Sequence, residues 1–293
     1  MIQGMPTPWP WVLLVAVAAG CQAPQAPKDP VVRLVPAPAL TCKPEPRYRW
    51  LDALGQPYSQ AFRKSFSYEN AEVDVRFEHT APVFEGTIQA RKLKPNFAYQ
   101  IKLVGMPPTL WGEEGDADAN RRIGEVGRWW VPGKDGHNAY FFDNEEDKGR
   151  MEGYLVLGYF VTDAEGQADV AFRADSSFHV LWKTDQWPPS EGDAPPTHHE
   201  VVAQAGSYGY DRTFDTASFG LYAEQQYGRP PMGKAFLSAG PYTCFFLLTE
   251  ESFHDYYNDD GGDWAAALAQ RIEFVIADPP KPATATFPAA PPE

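Results

Sequence analysis

Cysteine and positive charge are both scarce in this sequence. The 293 residues include three cysteines, and 25 Lys and Arg face 39 Asp and Glu, which gives a formal net charge of −14. Binding to nucleic acid depends on basic side chains that displace counterions from the phosphates. We therefore expect no nucleic-acid partner, and we attribute the acidic surplus to solubility.

Several catalytic signatures are also absent. The chain has no Gly-x-Ser-x-Gly elbow, no glycine-rich phosphate loop, no His-Glu-x-x-His and no Cys-x-x-Cys. A carboxylate pair among the many acidic residues could still support hydrolysis, but nothing in the sequence selects one pair. We therefore expect a non-catalytic protein and keep an envelope hydrolase as a lesser alternative.

No apolar run is long enough to span a bilayer as a helix, which takes about 20 residues. The longest at the N-terminus covers the ten residues Trp11–Gly20, a length that fits the apolar core of a secretory signal. The end of this run together with the next residue, Ala18-Ala19-Gly20-Cys21, resembles a bacterial lipobox. The resemblance implies a signal peptide at 1–20 and a lipid, such as palmitate, on Cys21. An ordinary cleaved signal and a misassigned start codon are the alternatives.

Lipidation of Cys21 would hold the chain on a membrane surface. In enterobacterial lipoproteins, Asp after the lipidated cysteine favours retention in the inner membrane. Here that position is Gln22. The resemblance thus implies a cell-envelope protein anchored at the outer membrane or cell surface.

Cys42 and Cys244 remain once Cys21 carries a lipid. In an oxidising compartment, such a pair is a disulfide candidate. Closing so long a loop would stabilise the fold by about 4–5 kcal/mol in the chain-entropy model. We predict that this disulfide forms.

The two ends of the chain differ in composition from the middle. Residues 21–41 are rich in Pro and Ala, which predicts a semi-rigid tether. Residues 279–293 have the same character and are interpreted as a disordered tail. The folded domain is therefore placed at 42–278.

Alternation of apolar and polar residues dominates the folded part. It predicts strands in Glu72–Glu78, on both sides of Lys94-Pro95-Asn96, and in several later segments. We find no long amphipathic helix, and the segment from Asp263 to Gln270 is interpreted as a short one. The pattern predicts an all-β antiparallel sandwich of about seven to nine strands, with at most short helices.

The segment Leu93–Leu103, LKPNFAYQIKL, resembles part of fibronectin type III and other immunoglobulin-like domains. In those domains a Leu-x-Pro turn precedes a strand that opens with tyrosine. The resemblance implies that Tyr99 packs at the corner and that its hydroxyl bonds to nearby backbone. It implies an immunoglobulin-like fold and, by itself, no function.

Two long insertions, 106–150 and 184–237, interrupt the strands, and loops are where a sandwich usually carries its function. We place binding at 106–150 because aromatic residues, which dominate binding hot spots, are concentrated there. The candidates are Trp111, Trp129, Trp130 and Tyr140. Exposed indoles stack on sugar rings; the competing interpretation is that these rings close the end of the core.

Asp116, Asp118 and Asn120 have the spacing that opens a calcium loop. Arg121 stands where that loop needs glycine, and its twelfth position is Gly127 rather than a bidentate Glu. A solvated acidic turn is the alternative. The sequence thus favours a non-catalytic envelope lipoprotein whose partner is an envelope protein or a glycan. A calcium-dependent or carbohydrate-binding module is the alternative.

Overall fold

A computed structural model describes residues 30–37, 49–131, 134–137, 149–183, 197–203, 209–212, 214–226, 236–251 and 264–278. Cys21, Cys42, Tyr140, the signal segment and the tail at 279–293 lie outside these ranges. Among the described residues, no helix is both long and apolar enough to cross a membrane.

Strands dominate the described chain. They are β1 (Val31–Arg33), β2 (Val35–Pro36), β3 (Glu72–Phe77), β4 (Thr80–Ala81), β5 (Glu85–Arg91), β6 (Ala98–Gly105), β7 (Arg128–Val131), β8 (Lys134–His137), β9 (Glu152–Val161), β10 (Ala168–Arg173), β11 (Ser177–Lys183), β12 (Thr197–Ala203), β13 (Ala217–Gln226), β14 (Gly240–Glu251) and β15 (Trp264–Ile276). The helices are α1 (Gln60–Ser65), α2 (Pro108–Trp111) and α3 (Ala117–Val126), with 3-10 turns at Tyr68–Asn70 and Gly112–Glu114.

The strands form two sheets. The small sheet has the order β1-β3-β5-β10, and the large sheet runs β12-β13-β11-β9-β6-β14-β15-β2. The hairpin of β7 and β8 joins the large sheet through β9, and β4 pairs with β15. The pair of β4 and β15 is parallel, whereas every other described pair is antiparallel.

One core lies between the two sheets. Val75 of β3 and Ile88 of β5 contribute to it from the small sheet, and Leu103 of β6 and Phe246 of β14 from the large sheet; each is at most 1% exposed. Alternate residues of β3, β5, β6 and β14 enter this cluster, as the period of two requires. The all-β, mainly antiparallel architecture with few short helices is therefore confirmed.

The chain passes from the small sheet to the large one between β5 and β6. At this corner the Tyr99 hydroxyl accepts a hydrogen bond from the backbone N–H of Lys94, at 3.1 Å. Tyr99 is fully buried. The Leu93 N–H donates to the carbonyl of Gly166, whose φ of 72° suits the turn before β10. The expected packing of Tyr99 at the corner is confirmed.

The interpretation of Asp263–Gln270 as a helix is wrong, because Trp264–Ala269 belong to β15. This strand pairs with β14 along its whole length and with β2 on its other side. Sheet pairing and burial of its small side chains outweigh the helix propensity of its alanines.

Two further segments differ from the sequence interpretation. Val31–Arg33 and Val35–Pro36, which fall inside the Pro/Ala-rich stretch, pair with β3 and β15. Ala117–Val126, interpreted as part of a loop insertion, is a helix capped by the Asp116 side chain, which accepts from the Ala119 N–H at 2.9 Å.

Candidate functional site

Two clusters of buried polar side chains lie on opposite faces of β14. Successive strand residues point to opposite faces. Glu250 therefore points into the sandwich, whereas Glu251 points to the outer face of the large sheet. Both side chains are at most 5% exposed. The two faces have different chemistry.

The inner cluster consists of Lys94, Glu250, Tyr68, Tyr99 and Arg49. The Lys94 ammonium lies 2.7 Å from Glu250 Oε1 and donates to the Arg49 carbonyl at 2.6 Å. Tyr68 donates to Glu250 Oε1 at 2.8 Å, and the Tyr68 and Tyr99 hydroxyls are 3.0 Å apart. Arg49 Nε lies 3.3 Å from Glu250 Oε2.

Aromatic rings enclose the Lys94 ammonium. It lies 4.6 Å from the Trp50 ring centroid and 4.4 Å from that of Phe97. Burial lowers the pKa of Lys94 to about 8, and Glu250 opposes that shift. The Lys94 ammonium pairs with Glu250 Oε1, whereas Glu250 Oε2 has no hydrogen-bond partner among the described residues. Because the side chains of Lys94 and Glu250 are at most 2% exposed, the inner cluster belongs to the packing of the corner and presents nothing to a ligand.

The outer cluster lies on adjacent strands of the large sheet. Lys102 and Gln100 of β6 are directly opposite Leu247 and Thr249 of β14 in the pairing register. Glu251 is opposite Trp264 of β15. The Thr249 hydroxyl is buried and has no hydrogen-bond partner among the described residues. Buried polar groups on the outer face of a sheet are uncommon outside functional sites, because burying apolar side chains there costs less free energy.

A narrow groove opens beside this cluster. Its walls are Lys102, Val104, Trp130, Glu152, Tyr154, Leu247 and Trp264, which we call the outer groove. The space between them is about 310 Å³ including open solvent, but only about 10 Å³ of the groove is sheltered space, enough for one water molecule. A ligand would therefore lie along the aromatic walls rather than enter a deep cavity.

Aromatic rings define the groove and lie against Lys102, the one cation among its described lining residues. The Trp130 and Trp264 rings are 5.4 Å apart at 61°. The Lys102 ammonium lies 4.4 Å from the Trp264 centroid and 5.7 Å from that of Tyr154. This cation–π arrangement places the Lys102 ammonium and both aromatic rings in the wall of the groove.

The two carboxyl groups here favour their neutral form. Burial raises the pKa of Glu152 to about 7. The Trp111 indole N–H offsets part of that rise, although the pair does not reach hydrogen-bond geometry. Burial raises the pKa of Glu251 to about 8, and the Lys102 charge offsets part of it. Near neutral pH the site thus offers carboxyl donors and acceptors with little net negative charge.

The predicted binding residues separate into different environments. Trp130 lines the outer groove, and Trp111 packs on Phe245 with their ring centroids 4.8 Å apart. Trp129 is fully buried and packs with Met151, so its ring is part of the core. Tyr140 lies outside the described residues. Of the predicted residues, Trp130 therefore lines the outer groove, and Trp111 lies next to Glu152 of the same groove.

The predicted calcium ligands are engaged elsewhere. Asp116 caps α3, and Asp118 pairs with Arg121 at 2.9 Å. Asn120 is buried, donates to the Met151 carbonyl and accepts from the Gly153 N–H. Within the described ranges, no group of three or more His, Cys, Asp or Glu side chains could hold a metal ion.

Cys244 is fully buried in the core and forms no disulfide among the described residues. Burial raises the pKa of its thiol. Its proposed partner, Cys42, is outside the described residues, so the disulfide stays a prediction.

Lys102, Glu152 and Trp264 are the groove residues that sequence analysis missed. Lys102 follows the alternation of β6 and looks like an ordinary solvated position, and Trp264 falls in the segment interpreted as a helix. One sequence signal points to this region: Glu250 and Glu251 are neighbours at the end of an apolar strand. Because neighbouring strand residues point to opposite faces, one of the two carboxyl groups must point into the core.

No protein-family model, curated protein or solved structure matches this chain. The candidate site is therefore argued from the geometry of this chain alone.

Proposed function

We propose that this protein is a non-catalytic lipoprotein of the bacterial cell envelope and that it binds a glycan along the outer groove. The observation that carries the binding proposal is the pair of Trp130 and Trp264 beside Lys102 and Glu152. Indole faces suit the apolar faces of sugar rings, while neutral carboxyl and ammonium groups hydrogen-bond to hydroxyls and acetamido oxygens.

A glycan fits this groove better than a strongly charged ligand does. Lys102 is the groove's one cation among the described lining residues, and its ammonium already lies against two aromatic rings. Glu152, with its pKa raised to about 7, is largely protonated below neutral pH and then repels no polyol. The ligand class that matches is neutral, polyhydroxylated and able to lie across aromatic walls.

Co-sedimentation with purified peptidoglycan sacculi and with insoluble chitin tests the binding proposal. We expect wild-type protein to pellet, and Trp130→Ala and Trp264→Ala each to reduce the bound fraction at least fivefold while remaining folded. Leu110→Ala is the control, because this apolar side chain is 57% exposed and lies outside the groove. Equal pelleting of wild type and both tryptophan variants would refute the site, as would no binding of wild type to either glycan.

The anchor is proposed from the lipobox resemblance at Cys21. The described fold begins at Pro30, nine residues after Cys21, which spans at most about 30 Å. A lipid on Cys21 would thus hold the sandwich close to the bilayer. Metabolic labelling with a palmitate analogue tests this: wild type should carry label that Cys21→Ala lacks, and equal labelling would remove the anchor.

We also infer an immunoglobulin-like relationship with a permuted strand order. In immunoglobulin domains, the corner joins strand E, between B and D, to strand F, between C and G. Here β5 lies between β3 and β10, and β6 between β9 and β14. The strands in the places of B and C follow the corner instead of preceding it. An experimental structure in which β5 or β6 has other neighbours would contradict this inference.

A further inference from the structure

A second pocket lies beside the corner, where Tyr58 donates to the Pro95 carbonyl, between residues 56–63 and residues of the second insertion. It is lined by Gln56, Pro57, Tyr58, Gln60, Arg63, Tyr210, Asp211, Arg212 and Phe214. Its volume is about 540 Å³, within the range of small-molecule sites. It shares no lining residue with the outer groove.

Buried hydrogen bonds fix the walls of this pocket. Asp52 accepts from the backbone N–H groups of Leu54 and Gln56, and also from the Tyr210 hydroxyl at 2.7 Å. The Ser59 N–H donates to the Gly209 carbonyl at 2.6 Å. These contacts join the two chain segments that face each other across the pocket, so the cavity is held open by the fold.

The floor is aromatic and presents ring carbon. The Tyr58 and Tyr210 rings are 5.4 Å apart, and Phe214 meets Tyr210 edge-on at 5.0 Å. Both phenol hydroxyls are occupied on the buried side, since Tyr58 donates to the Pro95 carbonyl and Tyr210 to Asp52. A ligand on this floor would meet an apolar surface.

The rim carries two arginines that form no ion pair among the described residues. Arg63 is exposed, and its guanidinium makes no hydrogen bond or ion pair with any described residue. The Arg212 guanidinium lies 3.3 Å from the Gln56 side-chain oxygen, its one hydrogen bond to a described residue. By contrast, Arg33, Arg91 and Arg173 each pair with a carboxylate. In a chain with net charge −14, two guanidinium groups that form no ion pair among the described residues and line one cavity are a specific arrangement, although Asp211 lines the same cavity.

We propose that this pocket binds a small anion with an apolar body: a carboxylate or phosphate held by Arg63 and Arg212, attached to a ring or short chain that lies on Tyr58, Tyr210 and Phe214. Guanidinium groups bind both oxyanions through paired hydrogen bonds. Asp211, on the same rim, opposes the negative charge and limits affinity.

Calorimetric titration of the full chain with phenyl phosphate tests the site, with benzoate, inorganic phosphate and benzyl alcohol as comparison probes. We expect saturable binding of phenyl phosphate or benzoate, whichever oxyanion fits the arginines, at least tenfold tighter than that of inorganic phosphate or benzyl alcohol. Arg63→Gln and Arg212→Gln should each weaken binding at least tenfold. Asp211→Asn should strengthen it.

Lys64→Gln is the matched control, because Lys64 is the exposed neighbour of Arg63 and is not part of the pocket. It should leave the binding constants unchanged, and so should Trp130→Ala in the outer groove. No saturable binding of either aromatic anion, or equal loss in Lys64→Gln and Arg63→Gln, would overturn the proposal. Because the two sites share no residue, failure here leaves the glycan test unaffected, and the reverse also holds.

Discussion

Glu250 and Glu251 are neighbours on one strand, yet they belong to opposite kinds of structure. Glu250 lies within 2.7 Å of Lys94 and accepts a hydrogen bond from Tyr68. Glu251 lies on the outer face, where burial raises its pKa to about 8 and Lys102 offsets only part of the rise. Both carboxyl groups are buried, so burial alone does not mark a site. The difference lies in the effect of the charged neighbour: Lys94 contacts Glu250 directly, whereas Lys102 only partly offsets the effect of burial on Glu251.

The largest expected effect comes from breaking the inner pair. Glu250→Gln removes the charge that holds Lys94 in a dry environment, and we expect a loss of about 3–5 kcal/mol in the free energy of unfolding. Glu251→Gln should change it by less than about 1 kcal/mol below pH 7, since Glu251 is then mostly neutral. Urea unfolding at pH 6.5 measures both.

A double replacement sharpens this result. Lys94→Met with Glu250→Leu replaces the ion pair by apolar groups and should recover most of the stability that Glu250→Gln loses. If Glu250→Gln and Glu251→Gln were equally destabilising, the contrast between the two faces would be wrong.

Trp129 and Trp130 give a second pair of neighbours with opposite roles. Trp129→Ala should cost about 3–5 kcal/mol, because the ring is fully buried against Gly124 and Met151. Trp130→Ala should cost clearly less, since its ring is partly exposed in the outer groove. Thermal melts of the two variants compare them directly. A larger loss in Trp130→Ala would place the ring in the core instead.

The pH dependence of stability should reveal the outer groove. The folded pKa of Glu152, about 7, lies above its ordinary value of 4.5. The native state therefore holds a proton that the unfolded state releases, and stability falls as pH rises from about 4.5 to 7. We expect Glu152→Gln to reduce this fall by about 1–3 kcal/mol.

Glu113→Gln is the control for this pH series, because Glu113 is exposed. The series should stay below pH 7.5, since Lys94, with its pKa lowered to about 8, adds an opposite slope at higher pH. Parallel stability curves for wild type and Glu152→Gln would contradict the raised pKa.

The sequence predicted most strands because alternation reports which face of a strand is wet. Glu72–Phe77 and Ala98–Gly105 follow it closely, and the tyrosine corner follows from a short local pattern. Prediction from the local pattern failed for Trp264–Ala269, where pairing within the sheet rather than local propensity decides the conformation. It could not show that β5 and β6 belong to different sheets, because sheet membership depends on distant strands.

The candidate site was predictable only in part. Trp130 is recognisable as an indole in an insertion. No sequence pattern separates it from Trp129, because only packing against α3 and Met151 buries Trp129. The second pocket, lined by Arg63 and Arg212, joins residues about 150 positions apart in the sequence, such as Gln56 and Arg212. No local pattern contains such a pairing.

Lys102→Met tests the central claim most directly, because it alters the outer groove without opening a cavity in the core. The substitution keeps the aliphatic stem and removes the ammonium that lies 4.4 Å from the Trp264 ring. We predict that, at pH 6, the free energy of unfolding stays within about 1 kcal/mol of wild type, while the fraction bound to peptidoglycan or chitin falls at least fivefold. A loss of about 3 kcal/mol or more with glycan binding retained would mean that the outer cluster stabilises the fold and is not a binding site.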